Sequence, residues 1–234
     1  MPTPTFQKYV FNGGATAFHG NIRKPYFQDL GKHLEISTYA GAAVNVRSTN
    51  VRFAFGSDIS YDSAMTSITT SETGDFFESE VVAQVKGLSV FGRLFIGEIT
   101  SRLRSVYDRR WYPQRVVARV SPGGSTIQNL EIDGKALELK LPAVFGVSDA
   151  EANEFLYGRT EYIPDTTPDV KLIPTPFAIE NFGTIYYAEW VAEAQDEGGQ
   201  HLTMVRLALG SDQGADADAG CTYSDGSGWP PRGL

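Results

Sequence analysis

One cysteine, Cys221, stands in a chain of 234 residues. No intrachain disulfide can form, and a small disulfide-stapled scaffold is excluded. No uninterrupted apolar run reaches the ~18 residues that a membrane-spanning helix needs. Histidine is scarce: His19, His33 and His201 have no partner at metal-ligand spacing, and no H-x-x-x-H or C-x-x-C occurs. Nucleophile elbows, phosphate loops and dinucleotide fingerprints are missing. Positive charge is in deficit: 20 Lys and Arg against 28 Asp and Glu give a net charge of −8 and a pI near 4.9. A general nucleic-acid binder needs a basic face, so that class is excluded. The start, MPTPTFQKYVFNGG, lacks a basic segment followed by an apolar one, so no signal peptide is expected there. The chain reads as soluble, cytoplasmic or released.

Helical periodicity is also rare, and this turns attention to what is present. Short runs rich in Val, Ile, Thr, Tyr and Phe recur between Gly, Asn, Asp and Pro. Strands are expected over 6–12, 33–41, 43–49, 51–64, 80–91, 94–107, 115–121, 125–134, 136–141, 183–195 and 201–210. One helix is expected over 148–158, with Ser148 as N-cap, Asp149 and Glu151 in its first turn, and Gly158 to close it. The expected fold is all-β, an antiparallel β-sandwich or flattened barrel with at most one short helix. Residues 1–210 read as a single β-rich domain, with a division into two packed units near residue 80 as the alternative. The proline-bearing stretch 160–181 reads as an extended connection and 196–200 as a hairpin tip. Residues 211–234 read as a Gly/Asp-rich loop or tail.

Two stretches echo each other. In 87-GLSVFGRLFI-96 and 129-NLEIDGKALE-138, a leucine and a β-branched residue on one strand face are followed by glycine and a basic residue. Asp133-Gly134 reads as a type I′ turn and Gly92 as a bulge or bend. The stretches 85-VKGLSVFGRLFIGEITS-101, 124-GSTIQNLEIDGKAL-137, 186-YYAEW-190 and 205-VRLALG-210 resemble, in order and spacing over residues 81–210, the bacterial choice-of-anchor P domain. That resemblance implies a noncatalytic sandwich-like module, typically exposed at a cell surface. The chain departs from the pattern in showing neither a signal peptide nor a C-terminal anchor.

Chemistry is sparse in this sequence. Cys221 has acidic neighbours, Asp216, Asp218 and Asp225, which raise a thiol pKa and disfavour a nucleophile. His19 sits in 16-TAFHGNIRKP-25, which reads as a Gly/Asn loop, and 12-NGGA-15 and 121-SPGGS-125 read as glycine turns. The clustered aspartates of 211–220 offer oxygen ligands of the kind Ca²⁺ takes, without the spacing of a known calcium loop; no other cofactor is expected. The densest feature is basic: seven arginines between Arg93 and Arg119, interleaved with aromatics in 107-YDRRWYPQR-115. Arg102 and Arg104 share a strand face. With Arg109, Arg110, Trp111, Tyr112 and Arg115 they form the expected partner-binding surface, suited to an anionic glycan, an acidic protein surface or other copies of the chain. The same arginines are also placed to pair with the acidic remainder.

The expected function is a noncatalytic structural or binding protein that uses this surface and its sheet edges. Two alternatives remain. A β-pore-forming or membrane-active toxin would use 57-SDISYDSAMTSITTSETGDFFES-79, in which ten of 23 residues are Ser or Thr; otherwise this segment reads as an exposed polar edge hairpin. A carbohydrate-active enzyme would use Glu131 and Asp133, with Glu138 nearby.

Overall fold

The computed structural model describes residues 9–23, 27–111, 118–157, 171–192, 199–210 and 215–224. It is an antiparallel sandwich of two seven-stranded sheets. The strands are β1 (Phe11–Ile22), β2 (Gln28–Ala40), β3 (Asn45–Phe55), β4 (Ile59–Thr73), β5 (Phe76–Val90), β6 (Leu94–Asp108), β7 (Arg119–Ser121), β8 (Thr126–Ile132), β9 (Lys135–Leu137), β10 (Lys171–Leu172), β11 (Phe177–Ile179), β12 (Gly183–Ala192), β13 (Gln200–Leu209) and β14 (Ala215–Ser224). A 3₁₀ turn (Arg109–Trp111) follows β6, and α1 (Asp149–Tyr157) lies between β9 and β10. The first sheet runs β10-β12-β13-β14-β1-β2, with β11 also on β12; the second runs β3-β4-β5-β6-β8-β9, with β7 also on β6. The sandwich and, among the described residues, its single short α-helix are as the strand-rich sequence implies. At α1 a capping box forms: Glu151 N donates to Ser148 Oγ (3.4 Å), and Ser148 N donates to Glu151 Oε2 (3.0 Å).

The core lies between the sheets, around Phe18, Tyr61, Ile99, Phe145 and the fully buried Trp190, whose Nε1 donates to Gln200 Oε1 (3.1 Å). Ser101 on β6 and Thr222 on β14 share a buried hydrogen bond of 2.8 Å between the sheets.

A crease crosses each sheet. In the first, the ladders skip Leu34, Ala17, Gly220, Met204 and Ala188, one position on each of the five long strands. In the second, the skipped positions are Arg52, Asp62, Gly87, Gly97 and Asn129, with Tyr61 and Leu88 also skipped between β4 and β5. Along each crease every second strand carries a left-handed residue: Leu34, Gly220 and Ala188 (φ 53°, 65° and 50°) in one sheet, Arg52, Gly87 and Asn129 (φ 66°, 66° and 54°) in the other. A left-handed residue interrupts the period-two alternation of side chains, as in a bulge. In β1, inward residues are odd-numbered up to Ala17 and even-numbered from Phe18; in β5 they are odd up to Val85 and even from Leu88. The first sheet turns its doubled residues inward at the crease, and the second turns them outward. The two bends therefore nest, with Gly220 close against Ile99 and Ser101.

The crease and its turns explain the echo. Gly87 and Asn129 are the paired crease positions. Leu88 and Leu130 are buried, and each strand ends in a left-handed pair, Phe91-Gly92 (52°, 64°) and Asp133-Gly134 (51°, 71°). Gly92 thus closes the β5–β6 hairpin and is no mere bend within a strand.

Several expectations fail for stated reasons. Residues 215–224 are not a tail: β14 pairs with both β1 and β13, so the domain boundary at residue 210 does not hold. Its Ala-Asp alternation sends Ala215, Ala217 and Ala219 inward and the aspartates outward. Nor are 12–15 and the segment around His19 loops; they lie in β1, where Gly13 is required because a Cβ there would meet Val81 Cγ2 at 2.9 Å. The expected strand 51–64 is broken by a turn at 56–58. Residues 57–79 are not an edge hairpin. They form β4 and the start of β5, with Thr66, Ile68 and Thr70 buried against the opposite sheet.

Candidate functional site

Three surfaces of the molecule carry candidate chemistry or contacts. The first is the arginine cluster. Leu103 points into the core, so Arg102 and Arg104 face outward on β6 as expected. Both are consumed by carboxylates. Arg102 donates to both Asp149 oxygens (2.8 and 2.9 Å), to Glu80 (2.7 Å) and to the Gly123 carbonyl (2.6 Å). Arg104 donates to Asp149 (3.2 Å) and Glu78 (3.1 Å). Burial by itself would raise the Asp149 pKa, but the hydrogen bonds and charge of Arg102, with help from Ser121 and Arg104, outweigh it and hold the carboxyl below its ordinary value. Arg110 closes on Asp108 (2.9 and 2.5 Å), and Arg109 and Arg110 lie over the rings of Phe77 and Phe76. Trp111 ends the 3₁₀ turn; Tyr112 and Arg115 lie outside the described residues. Arg93 forks onto Asp133 (2.7 and 2.7 Å) and donates to the Asn181 carbonyl (3.0 Å), tying the β5–β6 turn to the β11–β12 turn. Asp133 is thus an ion-pair partner, and its pKa is lowered by that hydrogen bond. The basic run acts as mortar between strands and helix.

The second surface is one open side of the sandwich. Each sheet ends there in a long strand, β2 in one and β3 in the other, joined through residues 41–44. Val46 lies in register with the fully buried Ile68, on the core-facing side of β3, yet is 44% exposed. Nothing beyond β3 among the described residues covers it. Tyr39 (63%) and Val51 (82%) are exposed on the outer faces. Ile36, Phe53 and Phe55 pack against the core but remain only partly covered. A cluster of His33, Phe53 and Tyr61, with centroids 4.1 and 5.3 Å apart, links β2 to β3 and β4. At the opposite side the sheets end in the short strands β9, β10 and β11. The long edges are therefore β2 and β3: β13 is internal, and β10 and β11 partly cover β12.

The third is a groove of about 660 Å³ on the outer face of the first sheet, beside its crease. Register places five outward side chains in one row across five strands: Tyr186, Arg206, Asp218, His19 and Lys32. His19 Nε2 lies 3.2 Å from Asp218 Oδ2; Arg206 donates to Glu189 (2.8 Å) and covers the Tyr186 ring. Burial raises the Asp218 pKa, and burial likewise raises that of Glu189. Asp216, also in the groove, pairs with Arg23. Of the aspartates in 211–220, Asp216 and Asp218 are strand residues beside Arg23 and His19, and Asp212 lies outside the described residues. The sequence hid this groove because its residues come from β1, β2, β12, β13 and β14.

The geometry defines an all-β sandwich with an open side and a polar groove. Residues 9–172 match the family described as a domain of unknown function, DUF8256, and the chain belongs to that family. The matched region runs from just before β1 through β10. No curated protein and no solved structure matches the chain. Among the described residues no helix is long and apolar enough to cross a membrane.

Proposed function

We propose that this is a noncatalytic structural or binding protein that assembles with copies of itself by strand addition along the β2–β3 side. The observation that carries this is the core-facing but uncovered Val46, on a side where both sheets end in strands of 13 and 11 residues. Edge strands present unpaired backbone groups, and natural proteins shorten or shield such edges unless they are used. Antiparallel addition of like edges about a two-fold axis is self-complementary. β2 would meet β2 and β3 would meet β3, continuing both sheets and covering Tyr39, Val46 and Val51. The arginine cluster supports this reading indirectly. With Arg102 and Arg104 neutralised by Asp149, Glu78 and Glu80, a long sheet edge with exposed Tyr39, Val46 and Val51 is favoured over that basic cluster as the surface left to a partner.

Size-exclusion chromatography with light scattering tests it. The wild-type chain should run at twice the monomer mass or more. Tyr39→Glu with Val51→Glu, both on outward faces, should return it to monomer with an unchanged circular dichroism spectrum. A wild-type protein that stays monomeric across the accessible concentration range would sink the proposal, as would a variant of unchanged mass.

A further inference from the structure

We propose that His19, Asp218 and Cys221 form a three-ligand site for a divalent metal of the zinc class, set beside the groove of the first sheet. The site is separate from the β2–β3 edge, and the proposal stands without the assembly.

The crease builds it. Along an ordinary strand, residues three apart point to opposite faces. Between Asp218 and Cys221, however, Ala219 and Gly220 both turn inward, and Gly220 is left-handed at φ 65°. Asp218 and Cys221 therefore emerge on the same outer face. The partner strand repeats the device: Ala17 and Phe18 both turn inward, so Thr16 and His19 face out opposite Cys221 and Asp218. The result gathers an imidazole nitrogen, a carboxylate oxygen and a thiol sulfur within 4.8 Å of one another. Tetrahedral zinc takes ligand atoms at ~2.0–2.3 Å from the metal, so contraction by roughly 1 Å through side-chain rotation brings the three into range.

A second observation points to a missing ligand. His19 Nδ1 and Asp218 Oδ1 are both shielded from solvent, and neither has a hydrogen-bond partner among the described residues. Buried polar atoms are seldom left so, and here they belong to two prospective ligands whose other atoms, Nε2 and Oδ2, lie 3.2 Å apart. A mixed nitrogen, oxygen and sulfur set with one thiolate suits zinc better than calcium or magnesium, which take oxygen. His19 and Asp218 line the groove, so a fourth position is open to water or a small ligand, as in three-ligand zinc sites.

A cysteine nucleophile paired with His19 is a poorer use of the same atoms. Burial, and then the charge of Asp218, push the Cys221 thiol up to about 12. A divalent cation supplies the positive charge that ionises it: the sulfur–metal bond forms as the thiol proton passes to solvent.

The test uses the full chain stripped of metal, with Co²⁺ as the spectroscopic probe and Zn²⁺ as competitor. One equivalent of Co²⁺ should give tetrahedral visible bands and a near-ultraviolet thiolate-to-cobalt band, both bleached by Zn²⁺. Cys221→Ser should lose the thiolate band. His19→Ala and Asp218→Asn should each weaken Co²⁺ binding about tenfold or more, since loss of even an outer partner of a ligand costs that much. As a control free of folding effects, Zn²⁺ should slow alkylation of the wild-type Cys221, the sole thiol, about tenfold or more. Cobalt spectra identical to the ion in buffer, a thiolate band that survives Cys221→Ser, or alkylation indifferent to Zn²⁺ would each overturn the proposal.

Discussion

Gly220→Ala should destabilise the protein by about 2–4 kcal/mol, and Gly220→Val by more. Two costs combine. A left-handed backbone at φ 65° penalises any residue with a Cβ by roughly 1–2 kcal/mol. The added Cβ would also meet Ile99 Cγ2 at 2.8 Å, where the creases of the two sheets nest, and overpacking of that kind costs about 1–3 kcal/mol. Domains of this size are stable by only ~5–15 kcal/mol, so the shift is large on that scale. Urea denaturation measures it. The two costs separate in a double-mutant cycle: Ile99→Ala should destabilise the Gly220→Ala background less than it does the wild type, because it removes the clashing methyl. A Gly220→Ala protein within about 0.5 kcal/mol of wild type would show that the crease does not depend on glycine.

Asp149→Asn should cost about 2–3 kcal/mol near neutral pH. One carboxylate receives Arg102 through both its oxygens and Arg104 through one, and it is 16% exposed. Removing one partner of a buried pair costs ~3–5 kcal/mol, whereas exposed pairs give ~0–1; a mostly covered site that keeps Glu78 and Glu80 falls between. The pH dependence follows from the lowered Asp149 pKa. A carboxylate depressed in the folded state contributes stability that is fully present above its unfolded pKa, around pH 4, and is lost as pH falls through the lower folded value. Asp108, lowered by its hydrogen bonds to Arg110, adds to the same window. Acid denaturation of the wild type should therefore be steeper below about pH 4 than that of Asp149→Asn. Equal acid limbs would remove Asp149 from the account.

What could be read in the sequence was whatever local chemistry dictates. The strand runs of β5, β6, β12 and β13, the capping box at Ser148 and the Asp133-Gly134 turn all rest on neighbours in the chain. What could not be read depends on partners far apart in sequence. β14 escaped because its first half, the Ala-Asp alternation of 215–219, carries none of the branched or aromatic residues that mark strands, and Thr222 and Tyr223 alone make no run; it becomes a strand by lying between β13 and β1. β1 escaped because its glycines resemble turns, when two of them are there for close approach: a Cβ at Gly13 would strike Val81, and one at Gly20 would strike Asp216 O at 2.9 Å. The arginine run was visible as a cluster, but its partners were not, since Glu78 and Glu80 come from the neighbouring strand and Asp149 from the helix that follows β9. His19 and Cys221, 202 positions apart, meet only because both strands crease at one level. The expected resemblance to the choice-of-anchor P domain drew on 85–101 and 124–137, whose shared residues prove to be crease, core leucine and hairpin turn, and the family the chain matches is DUF8256. Motifs of that kind record how a sheet is bent more directly than what it does.

The same distinction bears on Ser and Thr in β4. Their alternation looks outward in composition, yet Thr66 and Thr70 face the core, and Thr70 Oγ1 accepts a hydrogen bond from Val44 N at 2.7 Å. Polar residues at alternate positions therefore mark a strand here without saying which face meets water.

The central functional claim is that the β2–β3 side is an interface between copies. Hydrogen–deuterium exchange followed as a function of protein concentration tests it most directly. The account predicts that amides of Gln28–Ala40 and Asn45–Phe55 become more protected as concentration rises, while the internal strands β5, β6 and β13 stay protected throughout. Edge amides that exchange at the same fast rate at every concentration would contradict it.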